Sequence, residues 1–525
     1  MRILLFTLCC LFLGANVQSQ TINWANDIAP ILYKHCVQCH RAEAIGGFSL
    51  VDYQSAFTNR YSILDAVSSR SMPPWKADPN YRHYVGENYL SDAQIQTIEA
   101  WVNNDAPAGD VSQAPQPPVF VEGSSVGIPD EVLLTPAYTM NATEDEYRCF
   151  VLPSGLSETK YLRGLEVIPG NHMAVHHVLI YEDISGQGKI LDNQTPEPGY
   201  VSFGGAGVPN ARLIGSWVPG NRPELFPPFM GIKLTAGADL IVQVHFPGSA
   251  TGLTDQSTLN LFFTPTNQNI RQVSITPLLY HFPPSLQNGP LHIPANSIKN
   301  FTEQFTIPQA GSLIAIAPHM HLIGRSIESF GVTPLGDTLQ LIRIPAWDFH
   351  WQGAYTLQKV QKLPVGTKVY ARAVYDNTEN NPFNPSLPPQ DVFQGEATTD
   401  EMMLVYFTYM NYQAGDENII LDSTLLASGV PVLANPAENI AQLTASPNPT
   451  TQFTQLNFEL TTADEIQIAV FDAAGKMTLD LPSAGELPIG QHRRKVDLSA
   501  LPPGMYTVTL KNRKGGVIST TVLRQ

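Results

Sequence analysis

Along most of the chain, apolar and polar residues alternate over short runs bounded by Pro, Gly and Asn. Lys233 to Phe246, Leu259 to Phe263, Leu313 to Ala317, Lys368 to Tyr375 and Met403 to Tyr409 carry this pattern. A period of two sends successive side chains to opposite faces, so each run predicts a strand with one face toward a core. Together they predict two stacked, antiparallel β-sandwich domains between about residues 129 and 435. Ile466 to Asp472, Val496 to Leu498 and Gly504 to Val508, separated by Gly turns, predict a further small β-sandwich at the chain end. Leu90 to Val102 breaks the pattern. Its apolar residues recur at 95, 98, 101 and 102, a helical spacing, and Ser91 stands where an N-cap belongs.

Composition narrows the class. A chain of 525 residues is long enough for three to five domains. With 14% charged residues, 43 Pro and 38 Gly it suits a turn-rich, exported β protein better than a cytosolic enzyme. The net charge of −16 excludes nucleic acid and anionic membrane surfaces as expected partners. Arg2, the apolar run Ile3 to Leu13 and the small-residue site Val17-Gln18-Ser19 predict a signal peptide over residues 1–19. That run is too short to span a bilayer, and no other segment is apolar enough, so no membrane span is expected.

Of the five cysteines, three remain after such a cleavage: Cys36, Cys39 and Cys149. Three cannot build a disulfide framework. Cys36-Val37-Gln38-Cys39-His40 has the C-x-x-C-H spacing of covalent haem attachment. Two thiols on one helical turn can form thioethers to the porphyrin, and His40 then falls under the iron. The competing reading, a redox dithiol, lacks a βαβ context. Met72, in Ser71-Met72-Pro73-Pro74-Trp75, is the candidate sixth ligand, because two prolines can rigidify a loop that presents a thioether. Residues 20–108 resemble the small cytochrome c domains fused to secreted bacterial enzymes, which implies one covalent haem c. The Pro107 to Pro118 run opens a predicted linker, 109–128.

Histidines carry the chemistry of the central half. His176-His177 are adjacent, and neighbouring strand residues can share one metal only at a bulge or a strand end. His245 lies in Leu240 to Phe246, expected on a different hairpin. His319-Met320-His321 is expected to set two imidazoles on one face of a strand. Asp400-Glu401-Met402-Met403 offers a thioether. Imidazole suits copper, zinc, iron or nickel, whereas a thioether beside imidazoles points to copper. A lone His on an apolar strand is usually a core residue; five in this grouping are not so easily explained.

These motifs, in this order, resemble the copper type II, ascorbate-dependent monooxygenase family. The carrying residues are His176-His177 before an apolar run, Val244-His245-Phe246, His319-Met320-His321-Leu322-Ile323-Gly324 and Asp400-Glu401-Met402. The resemblance implies two copper ions, one per sandwich (129–275 and 276–435). His176, His177 and His245 would hold an electron-transfer copper; His319, His321 and Met402 would hold the catalytic copper that takes O₂. Two departures stand out. The Arg and Asn with which the peptide-amidating branch clamps a substrate carboxylate are replaced by Ala317 and Leu404, though Tyr406 persists. An apolar pair cannot replace a charge-assisted clamp, so a peptidylglycine substrate is not expected. The family's disulfides are also missing, which leaves Cys149 an expected buried thiol. His172, His281, His292 and His350 are expected to be structural.

Ser446-Pro447-Asn448-Pro449, the Asp472 to Gly475 turn and Gly504-Met505-Tyr506 resemble the C-terminal sorting domain of type IX secretion, here residues 436–525. This implies passage through the periplasm, the secretion machinery as a partner, and a secreted or surface location. The expected function is a copper monooxygenase that hydroxylates a C–H bond of a small organic substrate with O₂. Electrons would come from an external donor through the haem. The alternative is a non-catalytic haem and copper electron-transfer or copper-binding protein. A zinc hydrolase fits poorly, since no carboxylate base accompanies the ligands. Replacing Met72 with Ala should convert a low-spin c-type optical spectrum to high spin; an unchanged spectrum would remove Met72 as ligand.

Overall fold

In a computed structural model of the protein, the period-two runs form strands in paired antiparallel sheets, and helices are confined almost entirely to the N-terminal part. The structure describes residues 21–421 and 439–524, except 43, 45, 119–122, 220–222, 266, 268, 472–476, 482, 484 and 514–516. The predicted signal peptide and the Asp472 to Gly475 turn lie outside the described residues. The chain divides into two compact units, one of residues 1–74 with 88–119, the other of 75–87 with 120–525.

The first unit is helical. Trp24–Ile28, Ala29–His35, Tyr53–Thr58, Arg60–Ser68 and Asp92–Asn103 surround a small core in which Ile28, Leu32, Ile98 and Trp101 are fully buried. Ser91 caps the last helix as expected. Its hydroxyl accepts from Gln94 N while the Gln94 side chain accepts from Ser91 N, a reciprocal box that satisfies two otherwise orphaned donors. Pro107 belongs to this unit: its carbonyl accepts from Trp24 N at 2.9 Å and from Trp101 Nε1 at 3.0 Å. The residues predicted as one domain, 20–108, divide between the two units, because Trp75 to Glu87 is built into the second. There Tyr84, nearly buried, donates its hydroxyl to Leu341 O at 2.7 Å, and Asp78 pairs with Arg343 at 2.6 Å.

The second unit holds three sandwiches. In the first, one sheet runs Glu131–Leu134, Thr258–Phe263, Lys160–Ile168, Met230–Leu234, Arg271–Gln272. The facing sheet runs Tyr200–Val201, Glu146–Pro153, Asp239–Phe246, His177–Asp183, Arg212–Trp217. The run predicted as continuous from Lys233 to Phe246 is two strands, turned at Gly237, whose φ of +68° suits a residue without Cβ. Asp239–Phe246 is buried along its whole length, as a central strand covered on both faces must be.

The second sandwich packs Ser274–Tyr280, Leu404–Asn411, Gly311–His319 and Tyr355–Leu363 against Ser297–Thr306, Lys368–Asn377, Gly324–Val332 and Thr338–Ile344. The first two sandwiches share apolar core: Ile314, Val360 and Met410 of the second cluster with Val242, Val244 and Met230 of the first. The third sandwich, Ile440–Ser446 to Val517–Arg524, has its own core around Leu456, Val470, Val508 and Leu510.

One core position of the second sandwich is anomalous. Glu303 is fully buried, opposite Ala371 in the ladder, and neither carboxyl oxygen has a protein hydrogen-bond partner. Burial alone pushes its carboxyl from the ordinary 4.5 up to about 9. The fold therefore holds the neutral acid, and its contribution is lost as pH rises from about 4.5 toward about 9, at ~1.4 kcal/mol per pH unit. Glu303→Gln, which mimics the protonated form, should unfold at nearly the same temperature as the parent near pH 5 and at a higher one at pH 8. Calorimetry showing parallel pH profiles would contradict this.

Candidate metal centres

His177 opens the strand His177–Asp183, and His176 is the last residue before it, so the adjacent pair sits at a strand end. There the backbone is free to turn both imidazoles the same way. His245 comes from a strand well removed in the chain, yet that strand lies alongside: Asp239–Phe246 pairs directly with His177–Asp183, with His245 opposite His177. His176 N closes the arrangement by donating to His245 O at 2.9 Å.

The three rings converge through one kind of atom. Nδ1 of His176 lies 3.2 Å from Nδ1 of His177 and 3.2 Å from Nδ1 of His245, and the last two are 3.3 Å apart. An equilateral triangle of that side has its centre ~1.9 Å from each corner, close to the ~2.0–2.1 Å of metal–imidazole bonds. Three nitrogens facing one another at these distances could hold a metal ion between them. Burial lowers His176 to about 3, with His245 and His350 adding to the effect, and holds His177 well below the usual imidazole range. Both are therefore neutral near pH 7, the ligating form. Among the described residues this is the cluster of His, Cys, Asp or Glu side chains whose geometry could hold a metal ion.

His319 and His321 come together differently from the expectation. His319 is the last residue of the strand Gly311–His319, and His321 lies in the turn that follows; the two rings meet at 5.1 Å and 84° rather than lining one strand face. The turn is tight because Gly324 has no side chain: a Cβ there would come within 2.9 Å of Met320 and 3.1 Å of Trp347. Both rings have their Nδ1 engaged. His319 Nδ1 bonds the Gln352 amide oxygen, and His321 Nδ1 bonds Asp400 O at 3.0 Å. Those partners accept only, so both Nδ1 atoms carry hydrogen and both Nε2 atoms keep a lone pair for a ligand. Burial lowers His319 to about 4 and His321 to about 3.

Met402 is buried in the connection that precedes Leu404–Asn411. A residue without an assigned role in the sequence reading ties it to the imidazoles. Glu401, fully buried, accepts from His321 N at 2.9 Å, Ile323 N at 2.8 Å and Met402 N at 3.2 Å. One carboxyl thus binds the His321 turn to the Met402 segment. It lies inside the Asp-Glu-Met motif, which was the signal available for it.

Phe349 was also not foreseen. It stacks on His176 at 4.8 Å and meets His321 edge-on at 5.8 Å, so one ring touches both histidine groups. Its loop also supplies Gln352 to His319, and Trp347 Nε1 donates to His321 O at 3.2 Å. Ala317 pairs with Tyr406, and Leu404 with His319, in the ladder. The positions of the absent carboxylate clamp therefore lie beside the histidines.

The remaining histidines do not enter either group. His172 and His281 are lowered by burial, His281 Nδ1 accepting from Met403 N at 3.3 Å. His292 pairs with Asp391 at 3.0 Å. His350 pairs with Asp348 at 3.2 Å, although its ring is only 6.3 Å from that of His176. Cys149 is a buried thiol, pushed up to about 12 by burial, packed with Tyr200 and Ile241.

In the helical unit, Cys36 to His40 form one turn continuing Ala29–His35: Cys36 N bonds Leu32 O at 2.8 Å and His40 N bonds Cys36 O at 2.9 Å. Among the described residues no disulfide is formed, so no bond joins Cys36 and Cys39. His40 Nδ1 is buried without a hydrogen-bond partner, and the ring lies 4.5 Å from Phe48.

Residues 293–420 match the family model of the copper type II ascorbate-dependent monooxygenase, C-terminal domain, and residues 445–524 that of the secretion system C-terminal sorting domain. The first supports a copper monooxygenase-like function at the level of the family only. The matched segment contains His319, His321 and Met402. The second marks the protein for export by type IX secretion, to the cell surface or beyond it. No helix among the described residues is long and apolar enough to cross a membrane. No curated protein matches the chain.

Among solved structures it is similar to β-D-mannosidase from Dictyoglomus thermophilum (10% identity, 44% of this chain and 29% of that one, TM-score 0.14). It is also similar to β-glucuronidase from Parabacteroides merdae (10%, 42% and 27%, 0.12) and red sea bream transglutaminase (10%, 48% and 31%, 0.14). The chain spans less than a third of each of these proteins, and their activities are not carried over.

If the two groups are separate sites, Met402→Leu should abolish tight Cu(I) binding at His319 and His321 while one copper remains on His176, His177 and His245. Copper titration of the purified variant checks this; loss of both ions together would defeat the partition.

Proposed function

We propose that this protein is a copper-dependent monooxygenase that hydroxylates a C–H bond of a small organic substrate, fed with electrons through a covalent c-type haem. The observation that carries the reading is the pair of buried to half-buried histidine groups that share Phe349, one with three convergent Nδ1 atoms and one with two unused Nε2 atoms. In this reading His176, His177 and His245 hold one copper, and His319, His321 and Met402 hold the other. Copper bound there supplies one-electron redox chemistry and dioxygen activation. The overall change, R–H with O₂, two electrons and two protons giving R–OH and water, needs both groups.

The protein's own residues do the rest. Gln352 and Asp400 O fix the tautomers of His319 and His321, and Glu401 holds the Met402 segment against their turn. Phe349 packs against both histidine groups and fixes His176 and His321 by ring contact. Ala317, Leu404 and Tyr406, which pair beside His319 in the ladder, would offer a substrate an apolar and phenolic surface, which disfavours one recognised through a carboxylate. Retention of a thioether at 402 favours catalysis over the alternative, a haem and copper protein that only transfers or stores electrons, because a weak ligand leaves room for O₂.

Cys36, Cys39 and His40 would hold the haem and Met72 would complete it; haem supplies a one-electron carrier. The turn geometry of Cys36 to His40 and the unpartnered Nδ1 of His40 fit that attachment. Mixing the haem-reduced protein with O₂ and substrate in stopped flow tests the whole. Haem should reoxidise in step with product, and His245→Ala should stop that reoxidation. Haem that stays reduced while product accumulates at full rate would show that it does not feed the copper sites.

A further inference from the structure

The ring of His245 is held on an edge and a face by two residues of its own sandwich, and both continue to a single loop of the next. Its Nδ1 points at the other two histidines. Its Nε2 is buried and has no hydrogen bond of full geometry among the described residues; Asp145 Oδ2 lies 3.3 Å from it, at ion-pair distance. Asp145 immediately precedes the strand Glu146–Pro153. Its Oδ1 accepts from Gly248 N at 3.1 Å, three residues beyond His245, and its Oδ2 accepts from Thr398 Oγ1 at 2.7 Å. Gly248 must be glycine for this closure, since a Cβ would fall 2.6 Å from Thr143 O. Tyr147, one pleat along, stacks on the His245 ring at 4.3 Å and 3°, and its hydroxyl donates to Glu396 O at 3.4 Å.

Thr398 and Glu396 belong to the loop that runs on to Asp400, Glu401 and Met402. That loop is pinned to His321 by Asp400 O and by the Glu401 carboxyl. A continuous path of polar contacts therefore joins His245 in one histidine group to His321 in the other: the 3.3 Å approach of His245 to Asp145, then hydrogen bonds through Thr398, the backbone to Asp400, and His321. It is independent of Phe349.

We propose that Asp145 is the positioning residue of the three-histidine centre: its carboxylate takes the Nε2 hydrogen of His245, fixes Nδ1 as the ligating atom, and ties that imidazole through Thr398 to the segment carrying Met402. The inference rests on the reading that the centre binds copper, and goes beyond it in assigning what sets the properties of that copper. A carboxylate on the far nitrogen makes an imidazole a stronger donor. A stronger donor stabilises Cu(II) more than Cu(I), so Asp145 holds the reduction potential of this centre down.

The test uses the full, haem-loaded chain carrying His319→Ala and His321→Ala, so that copper binds only at the first centre. Asp145→Asn keeps the shape and an accepting oxygen but removes the charge. It should weaken Cu(II) binding by about 10–100-fold, with a smaller loss for Cu(I). The copper potential should rise and the Cu(II) hyperfine splitting in the electron paramagnetic resonance spectrum should change. Thr398→Val leaves the charge and removes the tether; it should move the potential the same way by less, and it keeps the inference testable should Asp145→Asn fold poorly. Unchanged affinity, potential and hyperfine splitting in both variants overturn the assignment. A parent chain that takes up no Cu(II) overturns the copper reading itself, and the inference with it.

Discussion

Imidazoles buried away from water must be uncharged, and the centre of this molecule is organised by that constraint. Four of the five central histidines are pushed by desolvation to values far below the usual imidazole range. Each buried neutral ring exposes one lone pair and one N–H, and both need a partner. Around His319 and His321 the N–H is given to an amide oxygen and a backbone carbonyl, which leaves the lone pairs on Nε2. Around His176, His177 and His245 the three Nδ1 atoms face one another, an arrangement that hydrogen bonds among the rings satisfy only in part. The proposed copper would resolve it.

The sandwiches supply rigidity and the loops supply the chemistry. His245 sits near the end of a strand buried along its whole length, and His177 opposite it in the ladder, so their spacing is set by backbone hydrogen bonds rather than by side-chain packing. The second sandwich contributes two connections, one carrying Trp347, Phe349 and Gln352, the other Glu396 to Met402. Each connection reaches both histidine groups: Phe349 by ring contact, the Thr398 to Asp400 segment by hydrogen bonds. A shift in either loop is therefore felt at both.

Buried acids show how differently the same fold treats one functional group. Glu401 meets three backbone donors and acts as a staple between the two ligand-bearing segments. Glu303 meets none and is kept as a neutral acid. Asp145 meets a hydroxyl, a backbone donor and an imidazole, and these partners hold its carboxyl well below the usual range. Burial raises all three: Glu401 goes up to about 8 despite its backbone donors, and Asp145 is the one its partners hold below the ordinary range.

Much of this was legible in the residues themselves. Alternation over short runs located the strands, because a half-buried strand must alternate wherever it occurs. Ser91 before a 3.6-period run located the helix Asp92–Asn103. Cys36 to His40, the histidine groups and the closing sandwich were visible as motifs because their chemistry depends on residue type and short spacing. The sequence also required His176-His177 to stand at a strand end if both were to face one ligand, and they do. It could not tell that His245 would pair directly opposite His177, since ladder partners some seventy residues apart are chosen by which strands share a core. It misplaced His321 on a strand, because only the close approach of Met320 and Trp347 to Gly324 turns the chain there. Trp75 to Glu87 left the helical unit for the same kind of reason: Tyr84 finds a buried site and a backbone acceptor beside Leu341. Residue type and local spacing determined which groups this protein has available for chemistry. Which nitrogen of each imidazole is available, and that Asp145, Phe349, Gln352 and Glu401 hold those imidazoles, was decided by burial and by contacts between strands distant in the chain.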